Sequence, residues 1–196
     1  MDLRPKSYAK HLAQLEQCAK RRPRILCFGD SYFGRIEWSE PLCRTRVAAE
    51  EAGMQMFAVG GDRVAELEKR LRIRVLDEDE FPFPDVCHVF VLIGLNDLLR
   101  SDADTIVAGI ARVMALLRAR FPAVQLLTLP PAPVVQLTRE RSARLDELNA
   151  RLASEFQSVS VWADIGPGQF ESSDLTHLNP GGYKIFLTNI LSLTHS

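Results

Sequence analysis

The feature that most constrains this chain is an alternation of short apolar runs of strand length with longer stretches of helical period. That pattern marks a parallel sheet whose crossovers cover both faces. Arg24 to Phe28 reads as the first strand, and a helical stretch from Glu37 to Ala52 follows, stopped by Gly53. Met54 to Val59 is a second strand running into Gly60 and Gly61, and Val64 to Val75 returns as a helix. Val86 to Gly94, the most apolar segment, is expected to be the central strand, buried on both faces. Ser101 and Asp104 open a helix in which Ile106, Ile110, Val113, Met114 and Leu117 repeat at helical spacing up to Pro122. Val124 to Leu129 makes a fourth strand closed by Pro130 and Pro131. Leu145, Leu148, Leu152 and Phe156 stripe another helix, Val159 to Ala163 makes a fifth strand, and a last helix runs from Gly182 to about Leu193.

The expectation is one α/β domain over residues 1–196, a three-layer α/β/α sandwich around a five-stranded parallel sheet. Residues 1–22, with Leu12 and Leu15 on one side and Lys10, Lys20, Arg21 and Arg22 elsewhere, are expected to add a helix packed on that sheet. A chain of 196 residues that is 46% hydrophobic and 25% charged builds a full core without disulfides or metal. Lys+Arg of 24 against Asp+Glu of 25 gives a net charge of -1, which argues against a grip on nucleic acid or anionic lipid. The longest apolar run is far short of the roughly 20 residues that cross a bilayer, and the amino terminus lacks a secretory signal pattern. Cys18, Cys27, Cys43 and Cys87 form no CxxC pair and read as free thiols, two of them in core strands, in a reducing cytoplasm. Asp77-Glu78-Asp79-Glu80 lacks the spacing of a calcium loop and reads as solvated surface, and no phosphate-cradling glycine motif is present. No cofactor and no metal are expected. A homodimer is the general prior for such a chain, argued by none of its residues.

In a parallel sheet the chemistry sits in the loops beyond the carboxyl ends of the strands. Strand one runs into Gly29, Asp30 and Ser31, strand two into Gly60 and Gly61, strand three into Gly94, Asn96 and Asp97, and strand five leads to Asp174 and His177. A serine hydroxyl needs a base to become a nucleophile, and that base needs an orienting partner. Asp174-Leu175-Thr176-His177 supplies both, with the carboxylate on imidazole Nδ1–H and Nε2 left for Ser31. The N–H groups of Ser31 and Gly61 and the Asn96 amide are the donors expected to meet an oxyanion. Asp30, Asp62 and Asp97 read as loop organisers, His88 as a core residue, and His11 and His195 as surface residues near the termini.

Gly29-Asp30-Ser31, Gly61, Gly94-Leu95-Asn96-Asp97 and Asp174-Leu175-Thr176-His177, in that order, resemble the four blocks of the SGNH (GDSL-type) hydrolases, over about Ile25 to Tyr183. The resemblance implies a flavodoxin-like sandwich and metal-free ester hydrolysis, with serine, glycine, asparagine and histidine in the roles just given. Val59-Gly60-Gly61-Asp62 and His177-Leu178 with Gly182-Tyr183 are also similar to the short intracellular branch that includes platelet-activating-factor acetylhydrolase catalytic subunits, and Leu129-Pro130-Pro131 resembles a proline-rich loop of acetyl-ester-hydrolysing members. Two departures stand out. Tyr32-Phe33 replaces the usual small aliphatic residue and threonine, so with Pro131 these rings are expected to narrow the substrate pocket, and Ala58-Val59 stands where an asparagine is common before the glycine. The expected function is a serine esterase acting on short-chain acyl esters through an acyl-enzyme. The rival is a non-catalytic ligand-binding or scaffold module that kept the fold, and loss of the serine, asparagine or histidine would have favoured it.

Overall fold

The computed structural model describes residues 5–75, 83–98 and 100–195. The acidic run Asp77 to Glu80 and the first four residues of the amino-terminal extension lie outside them. Four parallel strands form the sheet: β1 (Ile25–Gly29), β2 (Met54–Ala58), β3 (His88–Leu92) and β4 (Val124–Leu126), in the order β2-β1-β3-β4. Every residue of β1 and β2 is buried, as expected of strands covered on both faces. The register runs Ile25 to Gly29 against Met54 to Ala58 on one side and His88 to Leu92 on the other. The chain leaves β1 toward β2 and comes back to β3 on β1's far side. The crevice beyond the carboxyl ends of β1 and β3 is therefore the topological switch point, where sheets of this kind build their sites.

The expected fifth strand is reduced to a single parallel bridge, Leu127 to Val159. The cause lies in where its backbone groups bond. The carbonyls of Val161 and Ala163 accept from the Asn189 amide, both at 2.9 Å, and Asp164 adopts a left-handed φ of 62°. The next ladder bond to the Val161 carbonyl would need an N–H at Pro130, which has none, and the Thr128 carbonyl accepts from Trp162 Nε1 at 2.8 Å.

The helices are α1 (Pro5–Arg21), α2 (Ser31–Trp38), α3 (Cys43–Glu51), α4 (Val64–Arg70), α5 (Ala103–Arg118), α6 (Pro133–Gln136), α7 (Arg139–Phe156) and α8 (Pro180–Ser192). The helix expected over Glu37 to Ala52 is two helices, because Ser39 and Pro41 interrupt it with a 3-10 turn, and α2 starts at Ser31 itself. Val64 to Val75 keeps its extent, but its last five residues, Leu71–Val75, wind as a π-helical turn. Asp102 caps α5 by accepting from Thr105 N–H at 2.7 Å, and Asn179 caps α8 through Gly182 N–H at 3.0 Å. Helices α2, α3 and α8 pack with one another on one face, and α4, α5 and α7 on the other. Helix α1 lies against β2, where Gln14 donates to the Ala58 carbonyl at 3.1 Å.

That packing corrects two expectations. His11 is 1% exposed, not on the surface; its ring nitrogen meets the Ile73 carbonyl at 2.8 Å and its ring packs edge-on against Phe57. Cys27 is buried in β1, but Cys87 stands one residue before β3 and is half-buried. Its thiol donates to the Arg24 carbonyl at 3.4 Å.

Candidate active site

Gly29 ends β1 in a position no other residue can fill, since a Cβ there would stand 2.3 Å from the Leu92 carbonyl oxygen of β3. The close approach brings the ends of the two central strands together. Asp30 then turns the chain into α2 as its N-cap, accepting from Tyr32 N–H at 3.1 Å, and Ser31 becomes the first residue of that helix. Its side chain is held at the crevice rather than in the sheet.

The second part of the site comes from the loop before α8. Asp174 Oδ1 accepts from the backbone N–H groups of Thr176 and His177, both at 2.9 Å, and this fold of the loop leaves Oδ2 for the imidazole. Leu175 between them takes a left-handed φ of 51°. His177 Nδ1 is 2.6 Å from Asp174 Oδ2, and His177 Nε2 is 2.7 Å from Ser31 Oγ. Burial pushes the Asp174 carboxyl up, but the hydrogen bonds from His177 and Thr176 outweigh it and hold the group down at about 2. Burial also pulls His177 below its ordinary range; Asp174 opposes that, and the Arg35 guanidinium adds to it. A neutral imidazole fixed by a carboxylate and aimed at a serine hydroxyl can accept that proton at neutral pH.

The remaining expected residues lie around this relay. Gly61 has a φ of 78°, is exposed, and has open space where a Cβ would stand; a Cβ on neighbouring Gly60 would lie 3.8 Å from Ser31 Cβ. The Asn96 amide donates to Asp30 Oδ2 at 3.2 Å and to the Asp62 carbonyl at 2.9 Å. Phe33 is fully buried and packs on Phe186 of α8, so it belongs to the core and not to a pocket wall. Tyr32 is 1% exposed, its ring lies beside those of Trp162 and His177, and its hydroxyl donates to the Thr176 carbonyl. Pro131 is half-buried.

The three rim carboxylates organise loops. Asp97 Oδ2 accepts from Val64 N–H at 3.0 Å, and Asp62 pairs with the buried Arg70 at 2.8 Å. Burial, with Asp62 and Asp97 nearby, pushes Asp30 up to about 7. Arg35 and Arg70 escaped the sequence reading. Arg35 stands four residues after Ser31, one helical turn along the same face, but that spacing identifies nothing until α2 is known to start at Ser31. Among the described residues no group of three or more His, Cys, Asp or Glu side chains is arranged to hold a metal ion, and none of the helices searched is long and apolar enough to cross a membrane.

Residues 27–185 match the model of the GDSL-like lipase/acylhydrolase family. The chain belongs to that family. It is accordingly a serine hydrolase of ester bonds. A GDSL-like lipase from Bacteroides thetaiotaomicron superposes with a TM-score of 0.71 at 19% identity, covering 96% of this chain and 98% of that one. A lipolytic G-D-S-L protein from Veillonella parvula gives 0.65 at 17%, covering 86% and 96%. A psychrotrophic esterase from Pseudoalteromonas, inhibited by monoethylphosphonate, gives 0.59 at 16%, covering 86% and 94%. At these identities the likeness speaks for the fold, and membership of the GDSL-like family rests on the family match. No curated protein is significantly similar to the chain in sequence. The narrower likeness to platelet-activating-factor acetylhydrolase subunits rests on the sequence motifs alone.

Proposed function

We propose that this GDSL-like hydrolase cleaves short-chain carboxylic esters through an acyl-enzyme on Ser31. The observation that carries the reading is the unbroken relay from Asp174 Oδ2 through His177 to Ser31 Oγ, at 2.6 and 2.7 Å. His177 takes the hydroxyl proton as Ser31 attacks the carbonyl and returns it to the departing alcohol. Asp174 holds the tautomer and stabilises the imidazolium, and water activated by His177 then releases the acid. Ser31 N–H, Gly61 N–H and the Asn96 amide receive the oxyanion, which takes over the amide hydrogen now held by Asp30. The preference for a short acyl group rests on the likeness of Leu129-Pro130-Pro131 to the proline-rich loop of acetyl-ester-hydrolysing members. The free thiols of Cys27, Cys43 and Cys87 support a reducing, cytoplasmic setting.

The test is hydrolysis of para-nitrophenyl acetate, butyrate and octanoate by wild type and Ser31→Ala, with fluorophosphonate labelling in parallel. The expected result is label on Ser31, preference for acetate or butyrate, and a loss of about 10⁴-fold or more in kcat on substitution. Wild type that neither labels nor turns over while folded would sink the reading.

A further inference from the structure

Ser31 is not the only residue of α2 that faces the Asp174–His177 loop. Tyr32 follows it directly and donates its hydroxyl to the Thr176 carbonyl. Arg35, a turn further on, donates from Nη2 to Asp174 Oδ2 at 3.0 Å, the same oxygen that accepts from His177 Nδ1. The guanidinium is kept in place by more than this bond, since its Cζ also lies 5.9 Å from the centre of the Trp38 ring. The loop it reaches is 139 residues away in sequence and carries Leu175 at a left-handed φ of 51°, which a non-glycine residue rarely adopts. Such a loop holds its shape only where its surroundings over-determine it.

We propose that Tyr32 and Arg35 are positioning residues through which the nucleophile's own helix grips the base-bearing loop, Arg35 by sharing Asp174 Oδ2 with His177. This rests on the reading of Ser31 as nucleophile and His177 as base. One helix then fixes both halves of the relay, so Ser31 and His177 move together. Neither residue belongs to the four motif blocks.

The sharing has an electrical consequence. The charged groups facing His177 are Asp174 and Glu171 from its own segment and Arg35 from α2. The two carboxylates favour the imidazolium, whereas Arg35 disfavours it, as burial does. Arg35 thus keeps His177 neutral, and fit to act as a base, to lower pH. Removing its charge should move the acid limb of kcat/KM upward by about half to one pH unit, allowing for the partial solvent exposure of the pair.

The experiment compares wild type with Arg35→Met, Arg35→Gln, Arg35→Lys, Tyr32→Phe and Ser31→Ala on para-nitrophenyl acetate from about pH 5 to 9, with His177 titrated in parallel by nitrogen-15 NMR. The two neutral Arg35 variants are expected to shift the limb and the NMR titration upward together. Arg35→Lys should restore the limb because it restores the charge. Tyr32→Phe should lower kcat by about 3- to 10-fold with KM within about twofold and the limb unmoved, the pattern of a lost positioning contact. Neutral Arg35 variants that titrate within about 0.2 pH unit of wild type and keep kcat within about twofold would reduce the contact to a surface ion pair and overturn the proposal. If Ser31→Ala hydrolyses as fast as wild type, the nucleophile reading fails instead. If Ser31→Ala is dead while the Arg35 profiles stay unmoved, only the positioning role fails.

Discussion

Arg70 offers the sharpest test of how the site is held. It leaves α4 to donate from Nε to Asp62 Oδ2 at 2.8 Å, from Nη1 to the Phe57 carbonyl at 3.3 Å and from Nη2 to the Gly29 carbonyl at 3.2 Å. The Arg70 and Asp62 side chains are 1% and 0% exposed. One guanidinium thereby ties the ends of β1 and β2 to the residue whose carbonyl holds the Asn96 amide. Arg70→Met keeps most of the volume but deprives a buried carboxylate of its guanidinium partner. Breaking such a pair costs about 3–5 kcal/mol, since a charge left in low dielectric is not rehydrated. We expect a loss of about 4 kcal/mol, a large part of the roughly 5–15 kcal/mol that holds a domain together. In a chain of this length that is a fall in Tm of about 8–16 °C. The assay is urea unfolding followed by the fluorescence of Trp38 and Trp162. The double variant Asp62→Asn with Arg70→Met should be at least about 2 kcal/mol more stable than Arg70→Met alone, because it removes the carboxylate that Arg70 had faced. An Arg70→Met protein within about 1 kcal/mol of wild type, or a double variant no better than the single, would refute the reasoning.

Gly29→Ala forces a Cβ to within 2.3 Å of the Leu92 carbonyl and should cost about 3 kcal/mol, so thermal melting like that of wild type would contradict the close approach of β1 and β3. Asn96→Ala should lower kcat by about 100- to 1000-fold with little change in KM, and kinetics within tenfold of wild type would remove Asn96 from the oxyanion site. Asp30 binds its proton more tightly folded, at about 7, than unfolded, so its contribution is fully present below about pH 4 and is lost as pH rises through 7. Asp30→Asn should therefore flatten the decline in unfolding free energy between about pH 4 and 7, and a variant curve parallel to that of wild type would show that the carboxyl titrates normally.

Local sequence was enough for the parallel α/β sandwich, for the hydrolase family and for Ser31, Asp174 and His177 as neighbours, because apolar period and motif order are properties of the chain itself. Strand-length apolar runs between helical stretches admit few topologies once crossovers are right-handed, and those topologies put every βα loop at one edge. What failed locally failed for tertiary reasons. Val159 to Ala163 has strand composition, yet the ladder stops where Pro130 lacks an N–H and the Thr128 carbonyl accepts from Trp162 Nε1. Tyr32 and Phe33 read as pocket walls because sequence shows aromatic character but not direction; Phe33 packs on Phe186, and Tyr32 reaches the His177 loop. His11 sits near a terminus, and only the docking of α1 on β2 buries it.

The same division runs through the site. The sequence by itself determined which groups are candidates for the chemistry and in what order they occur. Only the tertiary structure decided that Arg35 shares the carboxylate of His177 and that Arg70 ties the strand ends beneath Asn96. Both contacts join residues distant along the chain, through side chains whose reach and direction no local pattern records. Their strength comes from the burial around them, which exists only once the sheet and its helices have closed.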